Sequence, residues 1–536
     1  MERMITKRLV YKLESRGLIT PYQSGFRNGR TTMDPVVCLE NEIRKAQVNK
    51  ESVLATFFDI EKAYDMLWKE GLLIKLNKME IGGKMFNWIK DFLRGRTIEV
   101  RIGSESSSTY TIENGTPQGS VCSPILFNIM INDVFDGVNQ RINRALYADD
   151  GALWVRGRNI DNLQQRMQTA ISQVGKWSFD WGFHLSVEKT QFICFSKKRV
   201  KPTIDLKIYG QSLKQVNDLR YLGVWFDSKL TFKNHVQKMV DKCKKAINIL
   251  KCLSGYNWGA SGSSLKRIYI ALIRSVFDYG STVYKTAAKT TLAELDRVQA
   301  KALRLCSGAF RTSPIPALQV EVGEMPLNLR RLKLSLAYWV NLQGHENTHP
   351  TKPVLEECWE YGRIVNSSFG WNSNKEAADM GISTIPCSKN VKLSIIPPWF
   401  FCYPVVNLEA KNIIKTGLYQ SVQQYIEVMY DDTVQIFTDA SKEPAGKTGV
   451  AVYIPKYKVI IQKRTSNHLS IFSAEMMAII MALQWVEEVK PYNSVICSDS
   501  MSSLTSIQTG KSACRQDLLD EVHQMIFRIT QQKLIL

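Results

Sequence analysis

The chain has 536 residues and a formal net charge of +20, since 70 Lys and Arg residues outnumber 50 Asp and Glu residues. This length is typical of about three or four domains. Hydrophobic residues make up 44% of the sequence and charged residues 22%, a globular composition that excludes a disordered or collagen-like chain. The positive charge indicates a polyanionic partner, either a nucleic acid or an anionic membrane surface, although a role in solubility alone stays open.

The sequence carries no pattern of a membrane or secreted protein. Its longest apolar run, Met476 to Leu483, is too short to span a bilayer, and the basic N-terminus lacks the apolar segment of a signal peptide. The 11 cysteines contain no C-x-x-C pair and are odd in number, which argues against a zinc knuckle and a disulfide framework. We therefore expect an intracellular protein that does not act at a membrane.

The first 230 residues alternate helical patterns with short segments rich in β-forming residues. Apolar periodicity and turn residues predict a helix over 34–48, a continuous apolar strand over 52–60 that ends at Asp59, a helix over 63–79, and a hairpin made of 98–102 and 109–112 around a polar turn. This alternation is typical of a mixed α/β domain.

The remaining chain has three parts. Residues 231–340 predict amphipathic helices with basic faces, as in 235–250 and 291–305, and residues 341–430 are interrupted by prolines and predict a connector. Strand and helix patterns then resume, with predicted strands over 433–441, 449–455, 458–464 and 494–500 and a helix over 471–489.

The strongest local signal for chemistry is the segment ALYADDGA at 145–152. Apolar residues on both sides predict two strands joined by a tight turn that carries Asp149 and Asp150. Adjacent acids in a turn are common without any function, but a third acid, Asp59, ends another predicted apolar strand. Carboxylates that converge at neighbouring strand ends form an oxygen-only site suited to Mg²⁺, and two such ions support phosphoryl transfer.

Three motifs carry a resemblance to a known family. They are FFDIEKAYD at 57–65, NGTPQGSVCSPILFNIMINDV at 114–134 and LYADDG at 146–151. In order and spacing they resemble the core motifs of reverse transcriptases from non-LTR (LINE-type) retrotransposons, especially jockey-like elements. Weaker matches, including SGFRNGRTT at 24–32 and DLRYLGVWFDSKLTFKNHV at 218–236, extend the resemblance over nearly the whole chain.

The resemblance implies an α+β multidomain fold, in which a right-hand polymerase of fingers, palm and thumb is followed by a connector and an α/β ribonuclease H-like domain. The expected boundaries are 1–230 for fingers and palm, 231–340 for a helical thumb, 341–430 for the connector and 431–536 for the ribonuclease H-like domain. Since the fingers and the last domain both look incomplete, we expect a chain that is truncated at both ends.

The resemblance also implies roles for individual residues of the polymerase part. Asp59 and Asp149 would bind both metal ions, with Asp150 as their companion acid. Tyr64 would lie under the sugar of the incoming nucleotide and exclude a 2′-OH, although an ordinary aromatic on a helix face is the alternative.

Four further residues are assigned by the same resemblance. Gln118 and Gly119 would lie against the nascent base pair, where glycine lets the backbone approach closely. Arg30 is a candidate triphosphate contact, with a solvated arginine as an equal alternative. Lys189 would lie near the primer, in a segment where relatives carry Asn at the position of Ser186.

A second acid cluster is expected in the C-terminal part. Asp439 and Asp499 end predicted strands and Glu475 stands in the first turns of a predicted helix, an arrangement that again describes a two-metal phosphodiester site. The surrounding segments TDASK, SAEMMAI and CSDSMSSL resemble ribonuclease H. A fourth metal ligand is not apparent in the sequence, so ribonuclease activity stays open.

The sequence therefore predicts an RNA-directed DNA polymerase that adds dNTPs to a primer 3′-OH, with two Mg²⁺ ions, or Mn²⁺ in their place, at each active site. The expected partners are an RNA template, a DNA primer, an RNA–DNA hybrid and dNTPs, and the resemblance implies a nuclear location. The alternatives are a catalytically inactive nucleic-acid-binding remnant of such an element, an RNA-dependent RNA polymerase and a group II intron maturase. The oligomeric state is not indicated.

Overall fold

The computed structural model describes residues 1–198, 202–255, 258–357, 368–385, 396–401, 404–408, 419–512, 514–532 and 534. Parts of the predicted connector, at 358–367, 386–395 and 409–418, therefore lie outside the described residues. The chain divides into two compact units, residues 1–389 and residues 390–536.

The first unit is mixed α/β. Its described helices are α1 (Glu2–Ser15), α2 (Met33–Val48), α3 (Lys69–Lys78), α4 (Gly83–Leu93), α5 (Ser123–Ile131), α6 (Ile160–Asp180), α7 (Lys233–Leu253), α8 (Gly262–Tyr269), α9 (Ser275–Asp278), α10 (Ser281–Tyr284), α11 (Lys289–Ser307), α12 (Ile315–Val322), α13 (Leu327–Gly344), α14 (Pro353–Glu357) and α15 (Phe369–Asp379). A π-helical turn, Ile270–Arg274, joins α8 to α9.

The described strands of this unit are β1 (Ser52–Phe58), β2 (Thr97–Ile98), β3 (Arg101–Ile102), β4 (Glu105–Ser106), β5 (Tyr110–Thr111), β6 (Asn143–Tyr147), β7 (Asp150–Gly157), β8 (Gln191–Phe195), β9 (Lys207–Ile208), β10 (Gln211–Ser212), β11 (Lys214–Gln215), β12 (Asp218–Tyr221) and β13 (Val224–Asp227). The predicted hairpin is confirmed, since β2 pairs with β5 and β3 pairs with β4 inside it.

A five-stranded sheet with the order β11-β8-β1-β7-β6 forms the centre of the first unit. β1 lies in the middle, antiparallel to β7 on one side and to β8 on the other, and every one of its residues is buried. Val53, Ala55 and Phe57 belong to a core that includes α2, whereas Leu54 and Phe58 belong to a second core that includes α6. Helices thus cover both faces, which explains why the segment is a continuous apolar run.

The helices after β13 extend the core on the α2 side of the sheet. α7 packs against α11 and β13 through an apolar face, while Lys238, Lys242 and Lys245 on its other face are exposed. The amphipathic helices with basic faces predicted over 235–250 and 291–305 are confirmed as α7 and α11.

The second unit is a smaller α/β structure. Its described elements are α16 (Tyr419–Met429), β14 (Val434–Lys442), β15 (Thr448–Ile454), β16 (Val459–Thr465), α17 (Ile471–Val489), β17 (Ser494–Ser498), α18 (Met501–Thr509) and α19 (Gln516–Gln531). The strands form a sheet in the order β16-β15-β14-β17, in which β14 and β17 are parallel and the other pairs are antiparallel. α17 packs against β14, β15 and α19 and buries most of its apolar residues.

One predicted helix is wrong at its start. The helix predicted over 63–79 begins at Lys69, because the preceding residues follow β1 as a series of turns. Lys62 has a left-handed φ of 44°, and the backbone of Tyr64 and Leu67 is paired with the loop that precedes α5. These long-range hydrogen bonds compete with a helix that the local pattern favours.

Asp439 does not end its strand, contrary to the prediction. β14 continues to Lys442, because Asp439 pairs with Ala451 and the ladder with β15 runs on to the pair of Lys442 with Thr448. In the part of the chain that the structure describes, none of the helices has the length and apolar character needed to cross a membrane.

Candidate active sites

The first candidate site lies at one end of the central sheet, where β1 ends and the β6–β7 turn begins. Asp59 follows β1 directly, and its backbone is fixed because its N–H donates to Thr190 Oγ1 at 3.3 Å and its carbonyl accepts from the N–H of Ser186 at 2.9 Å. β1 is paired with β7, and Phe58 lies opposite Gly151. Asp59, the next residue, therefore lies beside the turn that carries Asp150.

The β6–β7 turn holds the two adjacent acids. Tyr147 pairs with Asp150, so Ala148 and Asp149 form the tip of a two-residue turn. Ala148 has a left-handed φ of 55°, a conformation that costs about 1–2 kcal/mol for a residue with a Cβ. The tight turn predicted from the sequence is present, and it brings Asp149 and Asp150 to the end of β1.

The acids of this site influence one another electrostatically. Burial, followed by the charges of Asp149 and Asp59, raises the pKa of Asp150 to about 6. Burial and the charge of Asp59 also raise the pKa of Asp149. Because the acids disfavour each other's ionisation, the negative charge of this strand end would be stabilised by a shared cation.

Tyr64 and Lys189 flank these acids. The ring of Tyr64 stacks on Phe127 with centroids 4.7 Å apart, and burial together with the charge of Asp149 raises the pKa of its phenol to about 12. Lys189 Nζ lies 3.6 Å from Asp59 Oδ2 at an exposed position. Both residues are therefore near the acid cluster.

Gln118 and Gly119 belong to the TPQG segment, residues 116–119, which is hydrogen-bonded to the turns after β1. Gln118 Nε2 donates to Asp65 Oδ1 at 3.0 Å, which ties this segment to the turns after β1. Gly119 has a left-handed φ of 87°, and the space around its Cα is open. The main chain of Gly119 is thus accessible to a ligand, as close backbone approach requires.

Arg30 occupies different surroundings from the acids. It lies with Asp34, His345 and His349, and burial followed by the charge of Arg27 lowers its pKa to about 10. The side-chain nitrogen Nη1 of Arg30 is buried and has no hydrogen-bond partner in the described part of the chain. Arg30 is therefore half-buried, unlike the solvated arginine that was the alternative to a triphosphate contact.

A cavity of about 350 Å³ opens beside Asp59 and Asp150. Lys189 lines it, as does the end of the β12–β13 hairpin, which includes Tyr221. Tyr221 is buried, and its hydroxyl has no hydrogen-bond partner among the described residues. Burial, followed by the charge of Asp150, raises the pKa of this phenol. The sequence did not single out Tyr221, because an aromatic residue in a short strand is typical of the hydrophobic core.

The second candidate site lies in the second unit and gathers three acids tightly. One oxygen from each of Asp439, Glu475 and Asp499 lies within 4.8 Å of the others, and among the described residues no other group of three potential ligands is as close. Asp439 lies on β14 and Asp499 follows β17, and these parallel strands place Thr438 opposite Ser498. The sequence predicted this set of acids, and the structure brings them together.

Glu475 is the buried member of this cluster. Its side chain is 6% exposed, and Oε2 has no hydrogen-bond partner in the described part of the chain. Burial, followed by the charges of Asp499 and Asp439, raises its pKa to about 7. A buried carboxylate oxygen without a donor, beside two exposed carboxylates, fits a hard divalent cation such as Mg²⁺.

Two parts of the chain match known families. Residues 1–226 match the family described as "Reverse transcriptase (RNA-dependent DNA polymerase)", and residues 438–534 match the family described as "Reverse transcriptase-like". An RNA-directed DNA polymerase from the mobile element jockey of Drosophila melanogaster is 29% identical over 315 residues, which are 58% of this chain and 34% of that protein. The chain thus contains a reverse transcriptase domain and is similar to RNA-directed DNA polymerases of non-LTR retrotransposons.

Other relatives of the chain come from mobile elements of the same kind. The jockey polymerase of Drosophila funebris is 29% identical over 65% of this chain and 38% of its own, and the probable polymerase from transposon BS of Drosophila melanogaster is 27% identical over 56% and 34%. The chain thus spans about a third of the length of these curated relatives. A solved telomerase of Candida tropicalis has a TM-score of 0.36 at 13% identity, over 71% of this chain and 53% of that one, which is too low to establish a shared fold.

Proposed function

We propose that the first unit is an RNA-directed DNA polymerase that joins a dNTP to the 3′-OH of a primer paired with an RNA template. The observation that carries the proposal is the meeting of Asp59, Asp149 and Asp150 at the end of the central sheet, where each aspartate of the turn has a raised pKa. The match of residues 1–226 to reverse transcriptases supports the same chemistry.

The acids supply the ligands for the divalent cations of this reaction. Asp59 and Asp149 would hold two Mg²⁺ ions, with Mn²⁺ as a substitute, and these ions would lower the cost of charge on the attacking and leaving oxygens. Asp150 would stay behind them, beside the buried Tyr221. Lys189, which lies 3.6 Å from Asp59, would neutralise part of the acidic charge near the primer end.

The nucleotide would lie over Tyr64 and against the TPQG segment. Tyr64 is held rigidly by its stack on Phe127, so its ring would oppose a 2′-OH and favour dNTPs over rNTPs. The open backbone of Gly119 would approach the nascent base pair, and Gln118 would keep the segment in place through Asp65. Arg30 would approach the triphosphate only if its half-buried side chain turned outward, because it lies with Asp34.

We also propose which parts of the first unit form the palm, fingers and thumb of the polymerase. The central sheet with α5 and α6 would be the palm, the elements before it with the β2–β5 hairpin would include the fingers, and the helices from α7 to α13 would be the thumb. The exposed lysines of α7 would then follow the backbone of an RNA–DNA hybrid. Action on chromosomal DNA would place the protein in the nucleus.

The second unit would cleave the RNA strand of an RNA–DNA hybrid. Asp439, Glu475 and Asp499 would hold the divalent cations that support phosphodiester hydrolysis, and the buried Glu475 would anchor them. The match of residues 438–534 to the family described as "Reverse transcriptase-like" and the tight spacing of the acids support this proposal.

Primer extension tests the polymerase proposal directly. The full chain is incubated with a DNA primer on an RNA template, Mg²⁺ and either dNTPs or rNTPs. We expect extension with dNTPs and much less with rNTPs. Equal use of both nucleotides would favour an RNA polymerase, and salt-dependent binding of the hybrid without any extension would favour an inactive remnant.

A further inference from the structure

A short segment before α2 runs beside the strand that leads into the aspartate turn. The N–H of Ser24 donates to the carbonyl of Leu146 at 2.8 Å, and the N–H of Leu146 donates to the carbonyl of Tyr22 at 2.9 Å. This parallel bridge pairs Gln23 with Leu146 on β6. It therefore places the side chain of Gln23 next to a turn that is 125 residues away in the sequence.

The side chain of Gln23 is committed to the backbone of that turn. It is 1% exposed, and its Oε1 accepts from the N–H of Ala148 at 3.0 Å and from the N–H of Gly25 at 2.8 Å. Its Nε2 donates to the carbonyl of Ala148 at 3.3 Å. Both backbone polar groups of Ala148 are thus bound by one side chain, and a primary amide is suited to this because it both donates and accepts.

Ala148 depends on these bonds for its conformation. It holds a left-handed φ of 55° without being glycine, and it directly precedes Asp149. Residues in such conformations persist only when their surroundings over-determine them. Gln23 supplies that constraint, since its amide binds the peptide groups on both sides of the Ala148 Cα.

Gly25, whose N–H also donates to Gln23, is held in turn by α5, the helix that follows the TPQG segment. Asn128 Nδ2 on α5 donates to the carbonyl of Gly25 at 2.8 Å, and on the same helix Ser123 Oγ donates to the carbonyl of Pro117 at 2.7 Å. A Cβ on Gly25 would lie 2.3 Å from the Ala148 nitrogen, so the two backbones are in direct contact. One helix therefore fixes both the TPQG segment and the support of the aspartate turn.

We propose that Gln23 is a positioning residue that orients Asp149 by fixing Ala148 in its left-handed conformation. The inference rests on the proposed function, because Asp149 needs orientation only if it holds a cation for catalysis. Groups that orient a metal ligand without touching the metal commonly change metal affinity or activity by about 10- to 100-fold when they are removed. Gln23 would act on Asp149 in this way, because it binds the backbone of the preceding residue, Ala148.

Three variants of the full chain test the proposal. Gln23→Met keeps the length and apolar stem of the side chain and loses all three hydrogen bonds, whereas Gln23→Glu keeps both accepted bonds and loses the donated one. Asn132→Leu is the matched control. Asn132 Oδ1 accepts from the N–H of Thr20 at 2.8 Å and its Nδ2 donates to the carbonyl of Leu18 at 3.0 Å, so this variant loosens the same segment without touching Ala148.

Two measurements separate positioning from general stability. The first is hydrogen exchange of the backbone amides of residues 146–150, which does not require catalysis. We expect exchange there to be about tenfold faster in Gln23→Met, intermediate in Gln23→Glu and unchanged in Asn132→Leu, because Ala148 loses its amide partner only in the first case. If Gln23→Met does not fold, the comparison of Gln23→Glu with the wild type decides.

The second measurement is the Mg²⁺ concentration that half-saturates primer extension. We expect it to rise about 10-fold or more in Gln23→Met, with activity restored at high Mg²⁺, and to stay unchanged in the control. Wild-type exchange and wild-type Mg²⁺ dependence in both Gln23 variants would overturn the proposal, as would equal effects in Asn132→Leu. If the wild type extends no primer, the proposed function fails, while the exchange experiment still tests whether Gln23 fixes the turn.

Discussion

At the scale of single residues, both candidate sites hold acids in surroundings that disfavour their charge. Asp150 and Glu475 have pKa values raised to about 6 and about 7, in each case by burial first and neighbouring acids second. Such groups destabilise the protein when they ionise without a cation. The acids were predictable from the sequence, since each lies near the end of an apolar strand or helix turn, but their burial was not.

Glu475 gives a pH dependence of stability with a definite sign. Its folded pKa of about 7 exceeds the ordinary value of 4.5, so the folded protein holds the proton more tightly than the unfolded chain between these values. Without divalent cations, the contribution of Glu475 to the free energy of unfolding should therefore fall by about 1–3 kcal/mol as the pH rises from 4.5 to 7.

Denaturant unfolding in chelator-containing buffer measures this effect. Glu475→Gln should weaken the pH dependence by about this amount and be more stable than the wild type at pH 8, while Glu488→Gln, at an exposed position of the same helix, should keep the wild-type dependence. The same pH dependence in Glu475→Gln and in the wild type would contradict the raised pKa of Glu475.

Tyr64 gives a prediction about nucleotide choice. Tyr64→Val removes the ring that is stacked on Phe127 and opens the space over which a ribose would lie. We expect the preference for dNTPs over rNTPs to fall by about 10- to 100-fold in single-nucleotide incorporation. Tyr492→Val, at an exposed position of the second unit, is the control, and an unchanged preference in Tyr64→Val would remove Tyr64 from nucleotide selection.

At the scale of elements, the first site is assembled by loops that cross-link strand ends. The turns after β1 pair with the TPQG segment, and the Gln23 segment pairs with β6. Local patterns predicted α2, β1 and α7, because their apolar periodicity agrees with their burial. The same patterns could not predict the turns at 61–66 or the role of Gln23, since both depend on hydrogen bonds to distant residues.

Gly115 tests whether the contact between these loops is required. It has a left-handed φ of 90°, and a Cβ there would lie 2.8 Å from the carbonyl oxygen of Asp65. Gly115→Ala should therefore destabilise the protein by about 1–3 kcal/mol and weaken primer extension. Gly137→Ala, where a Cβ would make only ordinary contacts, should change neither, and equal effects of the two would contradict the argument.

At the scale of the whole molecule, the net charge of +20 coexists with two clusters of acids. The sequence alone indicated a polyanionic partner and a basic helix over 235–250, and the structure identifies the exposed lysines of α7 that lie away from its apolar face. Division of the chain into two compact units agrees with two separate acid clusters, one in each.

The lysines of α7 give a prediction about salt dependence. Replacing Lys242 and Lys245 with alanine should reduce the slope of log affinity for an RNA–DNA hybrid against log salt concentration by about 1.5, if both contact phosphates. Lys244→Ala/Asp241→Ala is the matched control, because these residues form an ion pair at 3.2 Å and their joint loss leaves the net charge unchanged. Equal slopes in all three proteins would exclude α7 from the binding surface.

The two acid clusters should perform two different reactions, and variants of each cluster separate them. Primer extension and hybrid RNA cleavage are measured in the full chain for the wild type, Asp149→Asn and Asp439→Asn/Asp499→Asn. We expect Asp149→Asn to lose extension by about 10²-fold or more and to keep cleavage, while the double variant should show the reverse. Undiminished extension by Asp149→Asn would exclude Asp149 from the polymerase reaction.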